Sequence, residues 1–373
     1  MRDADATSTI TDRGRHKNAK TPWDQPTWRN TALDWATREL TARGLRESGT
    51  AGRRVRLRPW SVLVRIPVED ADTTDGTTST SASTSTSTVW LKANPPASAF
   101  EAPLAAALAR WVPEYVLEPL AVDADRGWSL LPDGGDLFCQ VLDRNPVDPH
   151  AWDEPLRQYA TMQRALIPYT KDLEQLGVPS ARTTALPQVF DETVEFVRSV
   201  TEKTAAPLRH PAPDVDPTTL RALRPRLLNW SAELADLGIP DSLDHSDLHE
   251  DQLFNPEPGR FTFFDWGDAS VSHPFCSFLV PAEQFTERYG PESLPRLRDA
   301  HLEPWTGNGR SSKELRRALS LAGRLGVIGR AVTWGRIFPG ASDKTRATRA
   351  TRATGATEST KRLLQLATAE PPF

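Results

Sequence analysis

One stretch constrains this chain more than any other. Residues 241–270 read DSLDHSDLHEDQLFNPEPGRFTFFDWGDAS. A polar loop, His245-Ser246-Asp247-Leu248-His249-Glu250-Asp251-Gln252, runs into the apolar pair Leu253-Phe254. Past a Pro/Gly turn, an apolar strand Phe261-Thr262-Phe263-Phe264 ends in Asp265-Trp266-Gly267-Asp268. A carboxylate at the end of a buried strand is costly unless a cation or several hydrogen-bond donors compensate it. Carboxylates and an amide delivered from adjacent strand ends suit a hard cation such as magnesium, which takes oxygen ligands and often shares them with phosphates.

The surrounding chain divides by pattern. Residues 1–24 are polar and unpatterned, which predicts a disordered segment. From Thr27 to about Leu45, Trp28, Leu33, Trp35, Ala36 and Leu40 recur near helical spacing, and Gly44 sits where a helix would stop. The period then shortens. Segments starting at Val55, Trp60 and Val89 read as three short strands, the last being Val89-Trp90-Leu91-Lys92-Ala93. Between the second and third, Thr73–Thr88 is almost wholly Thr, Ser, Asp and Gly, a composition that predicts a solvated hairpin insertion. A helix is expected from about Phe100 to Trp111, then strands over Val116–Val122 and Gly127–Leu131. Pro132-Asp133-Gly134-Gly135 breaks the pattern and marks a lobe boundary, dividing residues 25–131 from 132–373. Beyond it the expected helices lie near 150–167, 189–203, 217–237, 274–289 and 312–337. Thr345–Thr357, which repeats Arg-Ala-Thr, reads as a second low-complexity insertion before a short helix near 358–367.

The loop and strand of 241–270 resemble the catalytic and metal loops of the aminoglycoside phosphotransferase/choline kinase-like family, which is related to the protein kinases. Upstream, Trp60-Ser61-Val62-Leu63-Val64-Arg65, Val89-Trp90-Leu91-Lys92, Glu101 and Gly127–Gly135 match a kinase-like small lobe in order. The resemblance spans roughly residues 50–290. It implies an α+β, two-lobed protein kinase-like fold: a small antiparallel β-sheet lobe with one helix, binding nucleotide, and a larger, mainly helical catalytic and acceptor lobe. It also implies an ATP- and magnesium-dependent transfer of the γ-phosphate to a hydroxyl of a small molecule, such as an aminoglycoside, a sugar or an amino alcohol.

Several residues take roles from that resemblance. Asp247 accepts or orients the proton of the acceptor hydroxyl. Asp265 ligates magnesium, and Gln252 stands where the family has asparagine. Asp268 completes the metal shell, supports it from outside, or caps the helix starting near His273-Pro274. Lys92 holds the ATP phosphates and Glu101 holds Lys92. Adenine is expected against Leu131 to Asp133. The turn over the phosphates, Arg58-Pro59-Trp60-Ser61, has no glycine, so backbone N–H groups and the Ser61 hydroxyl are the expected contacts. His245 is expected to brace the loop, and His249 either braces it or lies at the surface.

Residue chemistry independently favours Lys92. Only eight of the 45 basic residues are lysine, so a lysine inside an apolar strand asks for something arginine cannot do. A lone buried ammonium costs several kcal/mol, and Glu101 is the expected partner. Two rival readings use the same residues. His245, Asp247 and His249 as zinc ligands have short spacing and no second histidine cluster to complete a site. A kinase-like protein that binds nucleotide or a partner without catalysis is motivated by Gln252 and the missing glycines. Glu283, Glu287, Trp305 and Trp334 are candidate contacts to a cationic acceptor, or equally surface charges and core aromatics.

Composition removes other classes. Forty-five Lys+Arg against 49 Asp+Glu give a net charge of -4, unlike a strongly basic nucleic-acid binder. Two cysteines, Cys139 and Cys276, cannot build a disulfide framework. No apolar run approaches the ~20 residues a membrane helix needs, and residues 1–20 hold no signal-peptide core. These features predict a cytoplasmic protein with no membrane partner.

Overall fold

Alternating apolar residues build the first half of the chain into a sheet. The computed structural model describes residues 8–12, 21–49, 52–71, 87–144, 148–203, 217–307, 309–337 and 359–367. Its first strands are β1 (Ser8–Thr11), β2 (Leu45–Glu47), β3 (Arg54–Leu57), β4 (Val62–Asp70), β5 (Ser87–Ala93), β6 (Ala121–Asp123) and β7 (Trp128–Pro132). Helix α1 (Pro26–Thr41) precedes β2, and α2 (Glu101–Trp111) follows β5. The sheet order is β1-β3-β4-β5-β7-β6, with β2 sharing with β3 one edge of β4. Pairing is antiparallel except for β1, which joins β3 in parallel.

Val62, Val64, Ile66 and Val68 of β4 and Val89, Leu91 and Ala93 of β5 are buried in one core with Trp35, Ala36 and Leu40 of α1. Successive side chains on a strand point to opposite faces, so Lys92, between Leu91 and Ala93, leaves that core for the other face. Parity alone sends the lysine there.

Ser8–Thr11 and Trp23 correct the disorder expected across residues 1–24. Trp23 is 1% exposed, and its indole N–H donates to Arg58 O at 2.8 Å. A large apolar ring with a satisfied N–H is held by tertiary packing that local composition does not report. Residues 1–7 and 13–20 lie outside the described residues. So does the expected insertion, apart from Ser87 and Thr88, which open β5 as strand. The Thr345–Thr357 insertion lies wholly outside them.

The second half is mainly helical: α3 (Phe138–Arg144), α4 (Asp153–Leu166), α5 (Thr170–Gln175), α6 (Leu186–Lys203), α7 (Pro217–Arg221), α8 (Arg224–Asp236), α9 (Leu279–Tyr289), α10 (Leu294–Leu302) and α11 (Ser312–Ile337). Among them run β8 (Ser180–Ala181), β9 (Ser242–Asp244), β10 (Leu253–Glu257), β11 (Arg260–Phe263) and β12 (Ser270–Ser272). Strand β12 lies between β8 and β9, while β10 and β11 form a hairpin. A second, larger core centres on Tyr159, Phe190, Phe275, Phe278 and Phe285, and it includes Leu104 and Leu108 of α2.

Backbone hydrogen bonds join the halves after β7 and after α2. After β7, Leu137 bridges to Phe254 and Asn255 N donates to Asp136 O at 2.8 Å. After α2, Tyr115 O accepts from Phe263 N at 2.8 Å. No described helix is long and apolar enough to cross a membrane.

Candidate active site

The strands of the helical half end in two loops. The first, 245–252, leaves β9; the second, 264–269, leaves β11. Asp244, at the end of β9, is 3% exposed, and its carboxylate accepts from Ser246 N (2.8 Å), Ser246 Oγ (3.1 Å), Ser272 Oγ (3.2 Å) and Ser277 Oγ (2.6 Å). Four donors satisfy a carboxylate that burial would otherwise make expensive. They also fix Ser246 with φ 60°, in the left-handed region where non-glycine residues are rare. Tyr159 from α4 adds a brace: His245 N donates to its hydroxyl at 3.0 Å, and that hydroxyl bonds Ser277 Oγ at 2.8 Å.

His245 is fully buried. Its Nε2 lies 2.8 Å from Phe264 O, tying the first loop to the second, and its ring packs on Trp266 at 4.7 Å. Burial pushes its pKa down, so it serves as a neutral brace. Asp265 follows with φ 65°, the second left-handed non-glycine residue among the described residues. Such conformations cost on the order of 1–3 kcal/mol and persist where surrounding structure over-determines them.

Lys92 reaches this loop from the sheet. Its Nζ donates to Glu101 Oε1 at 2.6 Å and also to Asp265 Oδ1. Burial alone would lower the lysine pKa, but Asp265 and Glu101 together raise it, so the ammonium stays charged. Burial likewise disfavours the Asp265 anion, and Lys92 reverses that and holds its pKa below the usual range. Glu101 is held in turn by Asn94 Nδ2. Gly267 lies beneath this group, where an added Cβ would come 3.1 Å from Glu101 Oε2.

Asp247 lies close enough that its charge is felt by Asp265. Arg330 Nη1, from α11, donates to Asp247 Oδ1 at 2.5 Å and also to Ser246 O. On the other oxygen, His249 Nε2 stands 3.5 Å from Oδ2. Burial works against the anion, but the His249 hydrogen bond and the Arg330 charge hold the Asp247 pKa well below the carboxylate range. His249 Nδ1 accepts from Asp251 N at 3.3 Å, and the Gln252 amide lies 3.2 Å from Nε2. His249 therefore braces the loop.

The remaining expected site residues stand as follows. Ser61 is 5% exposed at the end of the β3–β4 turn, and its carbonyl accepts from Arg58 N at 2.9 Å. The same turn carries the Arg58 guanidinium, which feels the charges of Asp265 and Asp12. Leu131 pairs with Trp90, but β6 begins opposite Leu130, so among the described residues no strand pairs with Leu131 to Asp133 on that side. The Asp133 carboxylate accepts from Gly135 N at 3.0 Å and is spent on its own turn. Asp268 lies within electrostatic reach of Arg330. It does not cap the 3-10 turn Pro274–Phe278, since His273 Nδ1 accepts from Phe275 N there.

Asp265, Gln252 and Asp268 offer oxygen ligands, and the Asp265 side chain is 29% exposed, a chemistry that suits magnesium. Among the described residues, no group of three or more His, Cys, Asp or Glu side chains is placed to hold a metal ion, which bears on the zinc reading and on an all-carboxylate magnesium shell alike. Trp305 is 4% exposed and packs on Phe275, as a core residue. Glu283 pairs with Arg362 at 3.4 Å, and the side chain of Trp334 lies outside those described. Asp244 and Arg330 had no part in the sequence expectations. Asp244 sits one residue before the recognised loop, but Arg330 lies 83 residues from Asp247 among many arginines.

A separate surface cavity of about 530 Å3 is lined by Asp153, Arg157, Arg296, Asp299, Glu303 and Arg316 among others. Its α11 portion lies about 21 Å along the helix from Arg330, by helical rise.

No family model matches the chain, and no curated protein matches it. Among solved structures it is similar to an ethanolamine kinase from Plasmodium vivax, with 12% identity, 79% of each chain covered and a TM-score of 0.49. It is similar to a macrolide 2'-phosphotransferase from Brachybacterium faecium, with 16% identity, 87% of this chain and 97% of that chain covered, and a TM-score of 0.49. A choline kinase from Streptococcus pneumoniae is similar over 89% of this chain and 99% of that chain, with 10% identity and a TM-score of 0.46. By its own motifs and lobes, the chain has a two-lobed protein kinase-like fold and resembles the aminoglycoside phosphotransferase/choline kinase-like family.

Proposed function

We propose that this protein transfers the γ-phosphate of ATP to a hydroxyl group of a small molecule. One observation carries the reading: Lys92, held by Glu101, pairs with Asp265, and the Asp265 carboxylate also feels the charge of Asp247. A buried cation, a partly open carboxylate and a second carboxylate on a braced loop are the parts that phosphoryl transfer uses.

Adenine lies against the backbone from Leu131 to Asp133, on the side that β6 does not cover. The phosphates run toward Lys92. Arg58 supplies a charge-assisted contact in the glycine-free turn, a role better suited to its guanidinium than to the buried Ser61 hydroxyl. Asp265, with Gln252 and Asp268, would hold magnesium, which when bound would offset phosphate charge. Asp247 Oδ2 receives the hydrogen bond of the acceptor hydroxyl and orients its oxygen at the γ-phosphorus. The new O–P bond forms as the bond to the β–γ bridging oxygen breaks. The hydroxyl proton passes to Asp247 and on to solvent, and ADP leaves. With its pKa held so low, Asp247 orients the hydroxyl more than it draws off the proton early.

The test is ATP consumption with magnesium against a panel of sugars, polyols and hydroxylated amines, comparing wild type with Asp247→Asn. Turnover that falls by at least about 100-fold in the variant is expected. Magnesium-dependent ATP binding without turnover on any acceptor would instead mark a nucleotide-binding module.

A further inference from the structure

We propose that Arg330 is a positioning residue for Asp247 and that it selects the acceptor: a sugar or polyol without a cationic group near the reacting hydroxyl. This rests on the phosphotransferase reading and narrows it.

A carboxylate that orients a hydroxyl has two oxygens to offer. Here Oδ1 is taken by Arg330 Nη1, and the same nitrogen donates to Ser246 O in the loop backbone. That one nitrogen therefore ties the carboxylate to the left-handed residue before it. Only Oδ2 is left for the acceptor, with His249 Nε2 3.5 Å away on the same side. Positioning of this kind governs how often the hydroxyl meets the phosphorus in line.

The second consequence is electrostatic. Arg330 has a side chain only 13% exposed, so its charge is poorly screened by water. Paired with it, Asp247 no longer offers a net negative charge to an ammonium group. A second guanidinium, Arg362, lies close enough for the two to repel each other. Among the described residues, the carboxylates within electrostatic reach of Arg330 include, besides Asp247, Asp268 and Glu283, and Glu283 faces Arg362 at 3.4 Å. Trp305, which could have stacked on a cation, is sealed in the core. An amine brought beside Asp247 meets the like charge of Arg330 and, behind it, Arg362, whereas a neutral hydroxyl compound meets no such repulsion.

The experiment uses the full chain with magnesium and ATP, and acceptors paired to differ by one amine: glucose against glucosamine, ethylene glycol against ethanolamine. Wild type should favour the uncharged member of an accepted pair by about tenfold or more in kcat/KM. Arg330→Met should lower kcat on that member by about tenfold or more and shrink the preference, while magnesium-ATP binding stays within twofold. Arg330→Lys keeps a charge and one donor, and it should retain the preference with an intermediate kcat. It also serves as the informative variant if the Met substitution does not fold. Wild-type preference for the amine member overturns the acceptor class alone. Weakened ATP binding in Arg330→Met with an unmoved preference assigns the guanidinium to the nucleotide and overturns the inference. Absence of any Asp247-dependent turnover in wild type overturns the phosphotransferase reading, and the acceptor class with it.

Discussion

Lys92 places one ammonium between two carboxylates, and removing it leaves both without their cation. Lys92→Met should cost about 3–5 kcal/mol, the usual penalty for breaking a buried pair from one side. Chemical denaturation measures it, and a loss under 1 kcal/mol would show that water already screens the pair. Magnesium-ATP turnover should fall by at least about 100-fold in the same variant. Lysine, aspartate and loop histidine were legible in the sequence because each stands in a short local pattern: a lone lysine in an apolar strand, or carboxylates at fixed spacing from a strand end. Arg330 was not, since an arginine in a long arginine-bearing helix carries no local mark of what it will face. Asp244 was hidden for a different reason. Its four donors come from Ser246, Ser272 and Ser277, and only the folded chain brings them together.

Among the elements, the link after β7 is the most sensitive to side-chain volume. A Cβ at Gly134 would come within 2.2 Å of the Phe254 ring, which stacks on Phe264 at 4.2 Å, next to Asp265. Gly134→Ala should therefore displace Phe254 and cost about 1–3 kcal/mol of stability by overpacking. It should also weaken ATP binding, measured by equilibrium titration. Unchanged binding would separate this link from the adenine site. The long helices and the central strands β3, β4, β5 and β7 could be read from periodicity because each presents a full apolar face. Strand β1 could not: Ser8-Thr9-Ile10-Thr11 has no apolar alternation, and its extended form depends on pairing with β3. Helices α3, α5 and α10 went unread because each is too short to establish a period.

At the scale of the whole molecule, pH acts through buried histidines. His273 and His301 are fully buried, and burial pushes both down to about 3. Among the described residues, His301 has no hydrogen-bond partner at either ring nitrogen. An unfolded histidine takes up its proton near pH 6.5, so between about 6.5 and 3 the unfolded chain binds the extra proton. Stability is then full above pH 6.5 and falls as pH drops, by up to about 1.4 kcal/mol per pH unit for each histidine. His249 runs the other way: Asp247 raises its pKa against burial, so its contribution is present at low pH and fades as pH rises through the folded value. Denaturation at pH 7.5 and 5.5 should show the net loss on acidification, and His301→Phe should reduce it. An equal loss in both proteins would clear His301 of the effect. The two apolar cores bear on motion as well. Helix α2 is rooted by Leu104 and Leu108 in the larger core, whereas the strand carrying Lys92 belongs to the smaller one. The Lys92–Glu101 bond thus stitches the smaller core to the larger one, and on the proposed reading a nucleotide that drew the lysine away would loosen that stitch.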